Sequence, residues 1–331
     1  MEMCLEPAGS ETVSVIVPAY NAARTIDETL RSVAAQTHRE LEIVVVDDGS
    51  ADDTPAIVRG LAAQDPRIRL VRQANAGVAA ARNAGITASS GRFIAPIDAD
   101  DLWHPAKIER QLAVFRQGGE RLGLVYTWFA LIDGKSQVVQ LRHQPRHEGD
   151  VLARLAFHNF IGNGSSALFR RSAFDRTGGY DPTLRARGGQ GCEDWKLYFE
   201  IAEHHCFGFV PEPLTGYRDL PDNMSSDVLQ MLRSRDLCTA DLLPRHPELA
   251  KAFRAGRNRL SRLLFHRAIR LGRTKDVMRL ALSIGRYDPA FLAVVIGSLP
   301  LSAAKGVLGR LLPGGGYQGH SSTAFALLDP L

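Results

Sequence analysis

The sequence predicts an α/β fold: a Rossmann-like, mostly parallel central sheet followed by a helical C-terminal extension. Three observations lead there. "VSVIVPAY" and "LEIVVVDDG" are continuous runs rich in β-branched residues, as expected of strands buried on both faces of a parallel sheet. Helical patterns alternate with such runs through the first hundred residues. Beyond about residue 228 the pattern turns helical and rich in arginine, which sets expected boundaries at 1–228 for the sheet domain, 229–312 for a basic helical region and 313–331 for a flexible tail.

The elements follow in order. Between the first two strands, Thr25 and Glu28 have capping-box spacing, and Ile26, Leu30, Val33 and Ala34 share one helical face. Thr54 followed by Pro55 starts the next helix, because proline is favoured at the first helical position. "RIRLV" reads as a third strand, Gly77 to Ala88 as a small-residue helix, and "RFIAPI" as a fourth strand. Further on, "LGLVYTWFALID" and "SQVVQLRH" look like a strand pair, and "SSALFRR" like a short strand. "EDWKLYFEIAEHH" suggests an amphipathic helix with Trp195, Tyr198, Phe199 and Ala202 on one face, and "FGFVPEPLTGYR" a strand and a turn. The Gly-rich "LPGGGYQGHSS" marks the tail as flexible.

A chain of 331 residues, 45% hydrophobic, can bury a full core. Its four cysteines, Cys4, Cys192, Cys206 and Cys238, have neither CxxC nor zinc spacing, which argues for free thiols in a reducing compartment. No signal-peptide pattern opens the sequence, and the uncharged stretch from Pro289 to Ala304 is broken by Pro300 and too short to span a bilayer, so a cytoplasmic location is expected. The net charge of +4 hides an asymmetry: residues 1–229 carry 24 Lys and Arg against 30 Asp and Glu, whereas residues 230–331 carry 16 against 6.

Acids gather where strands end. Asp47 and Asp48 close one run, and Asp98 and Asp100 close another; ligands of open parallel sheets bind at the carboxyl ends of strands. Asp98 and Asp100 flank one small residue, so an extended backbone would point them the same way, and such hard oxygen donors suit Mg²⁺ or Mn²⁺. Taken alone, Asp-Ala-Asp-Asp reads first as a solvated loop before a helix at Pro105, with Asp101 as its cap; the apolar strand leading into it puts the metal reading level with that one.

Five segments, "VSVIVPAYNAARTIDETLRSV", "EIVVVDDGSADDT", "NAGVAAARNAGI", "FIAPIDADDLW" and "CEDWKLYFEIA", occur in this order, and together they resemble the bacterial-type family 2 glycosyltransferases, enzymes with the GT-A nucleotide-sugar-binding fold. The resemblance covers residues 12 to about 218. It implies that Pro18, Ala19 and Tyr20 edge a base pocket, that Asp48 accepts a hydrogen bond from the nucleobase, and that Arg82 approaches the base or diphosphate. It further implies that Asp98 contacts ribose or metal, that Asp100 binds metal, and that Asp194 is the catalytic base with Glu193 second. Arg218, in "GYRDLPDNMSS", would neutralise diphosphate charge; Leu220 stands where some relatives carry a histidine. As a structural alternative, Glu193 and Asp194 would only stabilise the start of their helix. "ARGGQG" fits a mobile lid or a plain surface loop equally.

The implied activity is a metal-dependent (Mn²⁺ or Mg²⁺), inverting, hexosyl-type transfer from a nucleoside diphosphate sugar, a UDP-sugar first, to a hydroxyl acceptor. That acceptor would be a glycan, lipid-linked in one version, in surface polysaccharide or glycolipid synthesis of the cell envelope. The alternatives are a non-catalytic GT-A domain that binds a nucleotide sugar or partner enzyme, and a nucleotidyltransferase, whose Gly-rich activating loop "PAYNAARTI" does not match. "GNGSSA" mimics a dinucleotide fingerprint but precedes a strand and opens no helix. The basic helical stretch, with Arg257, Arg259, Arg262, Arg267, Arg270 and Arg273, reads first as a helix packed on the main domain with a solvated basic side. Peripheral contact with the inner face of the membrane is the second reading, and nucleic acid, with no supporting motif, is not expected.

Overall fold

The computed structural model describes residues 11–142, 146–220, 223–298 and Phe325. Three β-branched strands, β1 (Val13–Ala19), β2 (Leu41–Asp47) and β3 (Ile68–Arg72), with β4 (Phe93–Pro96), form a parallel half-sheet in the order β3-β2-β1-β4. Alternate residues serve opposite cores: Val13, Val15, Val17, Ile43 and Val45 pack on one side, and Ile16, Val44 and Val46 on the other. The first side is covered by α1 (Ile26–Ala34), α2 (Thr54–Ala62) and α4 (Lys107–Gln117); the second by α3 (Val78–Thr87), α5 (Leu152–Phe157) and α7 (Glu193–Ala202).

The second half of the sheet is mixed. Antiparallel β8 (Ala167–Arg170) joins β4 to β6 (Leu122–Ile132), which pairs with β7 (Val138–Arg142) antiparallel and with β9 (Cys206–Arg218) parallel; β9 in turn carries the two-residue β5 (Leu102–Trp103). The mostly parallel sheet expected from the sequence is thus parallel throughout its N-terminal half and mixed beyond β4. Pro211 and Glu212 make no turn: the register with β6 slips from Val210 to Pro213, and the strand runs on through a bulge to Arg218. A fully extended continuation delivers Tyr217 and Arg218 to the same end of the sheet as β1, β2 and β4.

Two local expectations are corrected. Thr25 occupies the N-cap of α1, but its side chain makes no capping hydrogen bond, and Glu28 reaches across the fold to Arg218 and Ser136. Nor is α7 amphipathic: every residue but Glu200 is buried, because the sheet, α5 and the C-terminal helices enclose it.

Those helices are α8 (Val228–Leu242), α9 (Ala250–Arg270), α10 (Thr274–Gly285) and α11 (Pro289–Ser298). Cys238, Leu242 and Phe253 join the core around α7, while Leu264, Phe265, Leu280 and Ile284 build a separate cluster among the helices themselves. Among the described residues no helix is long and apolar enough to cross a membrane. The tail expected to be flexible lies outside the described residues except for Phe325, which is buried against Leu102, Ala130 and Ile132 and donates its N–H to Ser136 O at 3.1 Å.

Candidate active site

A cleft of about 630 Å³ opens at the carboxyl ends of β1, β2 and β4. Its first wall is the β1–α1 turn, where Pro18 and Ala19 end the strand and Tyr20, 55% exposed, presents its ring to the opening. Asp48 follows β2 and is almost wholly buried. Its Oδ1 accepts from Gln73 Nε2 (2.7 Å) and Ala76 N–H (2.8 Å), and its Oδ2 from Gly77 N–H (2.8 Å). Three donors fix this carboxylate, which in turn fixes the loop leading into α3. Asp47 is turned away, bound to Ser50 N–H and Arg72.

Asp98 and Asp100 both line the cleft, but on a turn: Asp101 N–H bonds back to Asp98 O at 3.0 Å. Asp98 Oδ1 takes a 2.6 Å ion pair from Arg82, and its Oδ2 makes no hydrogen bond among the described residues. Asp101 does not cap a helix. It is fully buried, accepting from Ser165 Oγ (2.5 Å) and Arg218 N–H (2.9 Å). Burial, with the charges of Asp100 and Asp98 beside it, raises its carboxyl well above the ordinary carboxylate range.

Arg82 joins the two acidic groups. On α3, 3% exposed, it donates Nη2 to Asp98 and Nη1 to Glu193 Oε1 (3.2 Å) and lies over the Tyr180 ring at 5.1 Å. Gly164 passes directly behind it; a Cβ there would stand 2.7 Å from Nη2. Gly164 of "GNGSSA", a segment dismissed as a dinucleotide signature, therefore lets the chain approach this guanidinium closely.

Glu193 and Asp194 open α7. Glu193 Oε2 accepts from Gly191 N–H at 2.8 Å, and Asp194 Oδ1 from Trp195 N–H at 2.6 Å. Burial, then the negative charge of Glu193, pushes the Asp194 carboxyl up to about 7, against the pull of Arg82. Such an acid can exchange a proton with a bound hydroxyl near neutral pH.

Arg218 is placed differently from the expectation. It does not line the cleft; its guanidinium, 1% exposed, bonds Asp100 O (2.6 Å), Asp133 O (2.9 Å), Glu28 Oε2 (2.9 Å) and Ser136 Oγ (3.1 Å). With each of its three guanidinium nitrogens bonded internally, it braces the turn that carries Asp98 and Asp100. Residues not anticipated from sequence also line the cleft, among them Asn75, Asn163, Arg185, Gln190 and Asn223, and Leu220 lies at the same wall as Met224 and Met231.

As a cation site the cleft offers two carboxylates, and among the described residues no cluster of three or more His, Cys, Asp or Glu forms an ion cage. Two hard oxygen donors, one with an open Oδ2, fit Mn²⁺ or Mg²⁺ completed by water and phosphate, which is how such ions are usually held beside nucleotides.

Residues 14–178 match the family described as Glycosyl transferase family 2. The chain is 35% identical over 188 residues to an uncharacterized glycosyltransferase, alr2836, of Nostoc sp., covering 54% of this chain and 57% of that one. It is 40% identical over 159 residues to the succinoglycan biosynthesis protein ExoO of Rhizobium meliloti, covering 48% and 43%. The matches thus span less than two thirds of either relative. Among solved structures, Staphylococcus aureus TarS 1-349 in complex with UDP-GlcNAc superposes with a TM-score of 0.57 at 17% identity, over 85% of this chain and 78% of that one. The mannosyltransferase PcManGT of Pyrobaculum calidifontis, in complex with GDP-Man and Mn²⁺, superposes with a TM-score of 0.55 at 20% identity over 88% of each chain. At these identities the structural likeness establishes a shared fold.

Proposed function

Because the chain carries a glycosyl transferase family 2 domain, we propose that it moves a sugar from a nucleoside diphosphate donor to a hydroxyl acceptor with inversion at the anomeric carbon. The observation that carries this reading is the meeting, in one cleft, of Asp98 and Asp100 with an Asp194 whose carboxyl titrates at about 7.

Tyr20 and Asp48 mark the end suited to a base: an exposed ring to lie against it and a fixed carboxylate beside it. Asp98 and Asp100 would hold Mn²⁺ or Mg²⁺, which when bound supplies positive charge to the leaving diphosphate. Asp194 takes the proton of the acceptor hydroxyl as that oxygen bonds to the anomeric carbon and the carbon–diphosphate bond breaks. Glu193 keeps Asp194 basic enough for this step, and Arg82, tied to Glu193 and Asp98 at once, holds base and donor acids in fixed relation. A single base with no second carboxylate acting as nucleophile is the basis for inversion.

UDP-sugars are the first donors to test and GDP-sugars the second, given the donors carried by TarS and PcManGT. The likeness to a succinoglycan biosynthesis protein supports an acceptor in polysaccharide or glycolipid synthesis. A lipid-linked acceptor would place the protein at the inner membrane face, and α10 presents Lys275, Met278, Arg279, Leu282 and Arg286 in one exposed stripe suited to an anionic bilayer.

Free nucleoside diphosphate released from UDP-, GDP- and dTDP-sugars, with Mn²⁺, Mg²⁺ or EDTA, tests the proposal. Release or transfer from one donor, dependent on the ion and lost in Asp100→Ala and Asp194→Asn, is the expected result. Asp194→Asn should keep donor binding while losing transfer; if wild type binds no donor with either ion present, the reading fails.

A further inference from the structure

Resting on that reading, we propose that Arg185 is the residue of the protein that grips the donor's diphosphate, the place that sequence comparison would give to Arg218. The cleft needs such a group. Asp48, Asp98, Asp100, Glu193 and Asp194 all line it, so a diphosphate entering it meets mostly negative charge. Of the other arginines, Arg24 lines the cleft from the β1–α1 connection beside Tyr20 and has a partner of its own, while Arg82 is matched by Asp98 and Glu193, and Arg218 is spent on Glu28 and on backbone carbonyl oxygens.

Arg185 differs from these three. It stands on the short helix α6 (Thr183–Ala186), lines the cleft, is exposed, and its side chain makes no hydrogen bond or ion pair among the described residues. It lies across Gly77, whose φ of +90° turns the chain into α3; a Cβ at Gly77 would stand 2.9 Å from Arg185 Cδ and 3.2 Å from its Nη1. Only a glycine leaves this space. Gly77 donates its N–H to Asp48, and Arg82 lies about one turn further along α3. Arg185 therefore sits between the base end of the cleft and the Asp98–Asp100 end, over the stretch that the phosphates joining nucleoside to sugar must cross. A guanidinium can donate two parallel N–H groups to phosphate oxygens there.

The arginine is also held ready. Asp181, just before α6, accepts from Thr183 N–H (2.8 Å), Thr183 Oγ1 (2.7 Å) and Lys196 Nζ (2.6 Å). Arg187, just after it, makes a bidentate pair with Asp241 of α8 (2.7 and 2.8 Å), and Lys196 also binds Asp241 at 2.8 Å. Both flanks of α6 are thus tied through one ionic network to α7 and α8. α6 and its flanks form a braced arm that leads into the 186–191 segment read from sequence as lid or loop, and Arg185 is the arginine of that arm that lines the cleft.

Calorimetric or NMR titration of UDP, GDP and dTDP, each beside its nucleoside, with saturating Mn²⁺, tests the assignment on wild type, Arg185→Ala and Arg185→Lys. Arg185→Ala should weaken the diphosphate that wild type binds by about tenfold or more, ~1.4 kcal/mol, and leave its nucleoside within about twofold. Arg185→Lys should recover part of that loss, since it restores charge without the planar fork, and melting curves of all three proteins should coincide. Unchanged diphosphate affinity in Arg185→Ala, or an equal loss for nucleoside and diphosphate, overturns the proposal while leaving the glycosyltransferase reading in place. A wild type that binds none of the three diphosphates overturns both.

Discussion

Asp194 shows how burial prepares an acid for proton transfer, and it makes opposite demands on activity and stability. Its folded carboxyl titrates at about 7 against an ordinary value of 3.8, because burial and Glu193 disfavour its charge. The folded chain therefore holds a proton between those values that the unfolded chain has released, so this residue's contribution to stability declines as pH rises through the window. Activity runs the other way: kcat/KM should climb with pH and level off above about 7. Asp194→Asn should abolish transfer and flatten the fall in melting temperature between about pH 4 and pH 7, read from melts across that range. Asp48, Asp98, Asp100 and the Glu193–Asp194 pair were legible because acids at strand ends and helix starts form patterns along the chain. Arg218 and Arg185 were not. Whether an arginine is buried on carbonyl oxygens or left over a cleft depends on strands and helices more than a hundred residues away, and residue type does not carry that. Arg218→Ala, leaving Asp100 O and Asp133 O without their donor and half-exposed Glu28 with Ser136 alone, should cost roughly 1–3 kcal/mol in denaturant unfolding, more than an exposed arginine would.

At the scale of elements, β-branched runs and Thr-Pro punctuation placed β1 to β4 and their helices within a residue or two. The short pieces escaped: β5, α5 and α6 span two, six and four residues, too few for any period to register. The bulge in β9 was read as a turn because proline usually ends a strand, whereas here two residues are absorbed opposite β6 and pairing resumes at Pro213. The α6 arm makes its own prediction. Arg187 and Lys196 hold the Asp241 carboxyl down to about 2, so the network stays charged at any pH near neutrality and weakens only in strong acid. Asp241→Asn should leave the cleft residues in place yet speed amide hydrogen exchange across 183–191 at neutral pH, with no change over β1 to β4.

Over the whole molecule, the charge asymmetry seen along the chain becomes a division in space. The acids collect around the cleft, while α9 and α10 carry basic residues on an outer surface beside Leu263, Met278 and Leu282, each 38–53% exposed. Part of that charge is internal currency: Arg257, Arg262 and Arg267 pair with Asp236, Asp288 and Asp219. The packed-helix reading therefore accounts for those three, and along the α10 stripe Arg279 lies 3.9 Å from Asp276 while Lys275 and Arg286 have no ion pair among the described residues. Vesicles containing anionic lipid should sediment with the protein, those of neutral lipid should not, and reversing Lys275, Arg279 and Arg286 to glutamate should abolish the difference; binding indifferent to lipid charge would refute a bilayer as the partner of that stripe.

Phe325 gives the architecture a practical edge. Its ring fills the space beside Gly216, two positions before Arg218 on the same strand, and its amide binds the residue whose hydroxyl meets that arginine. Phe325 is thereby buttoned to the strand that steadies the acidic turn. A purification tag fused next to it, or a cut made before residue 325 to tidy the tail, would tug on the cleft from behind, so an enzyme prepared in that way could look inactive for reasons that have nothing to do with its donor.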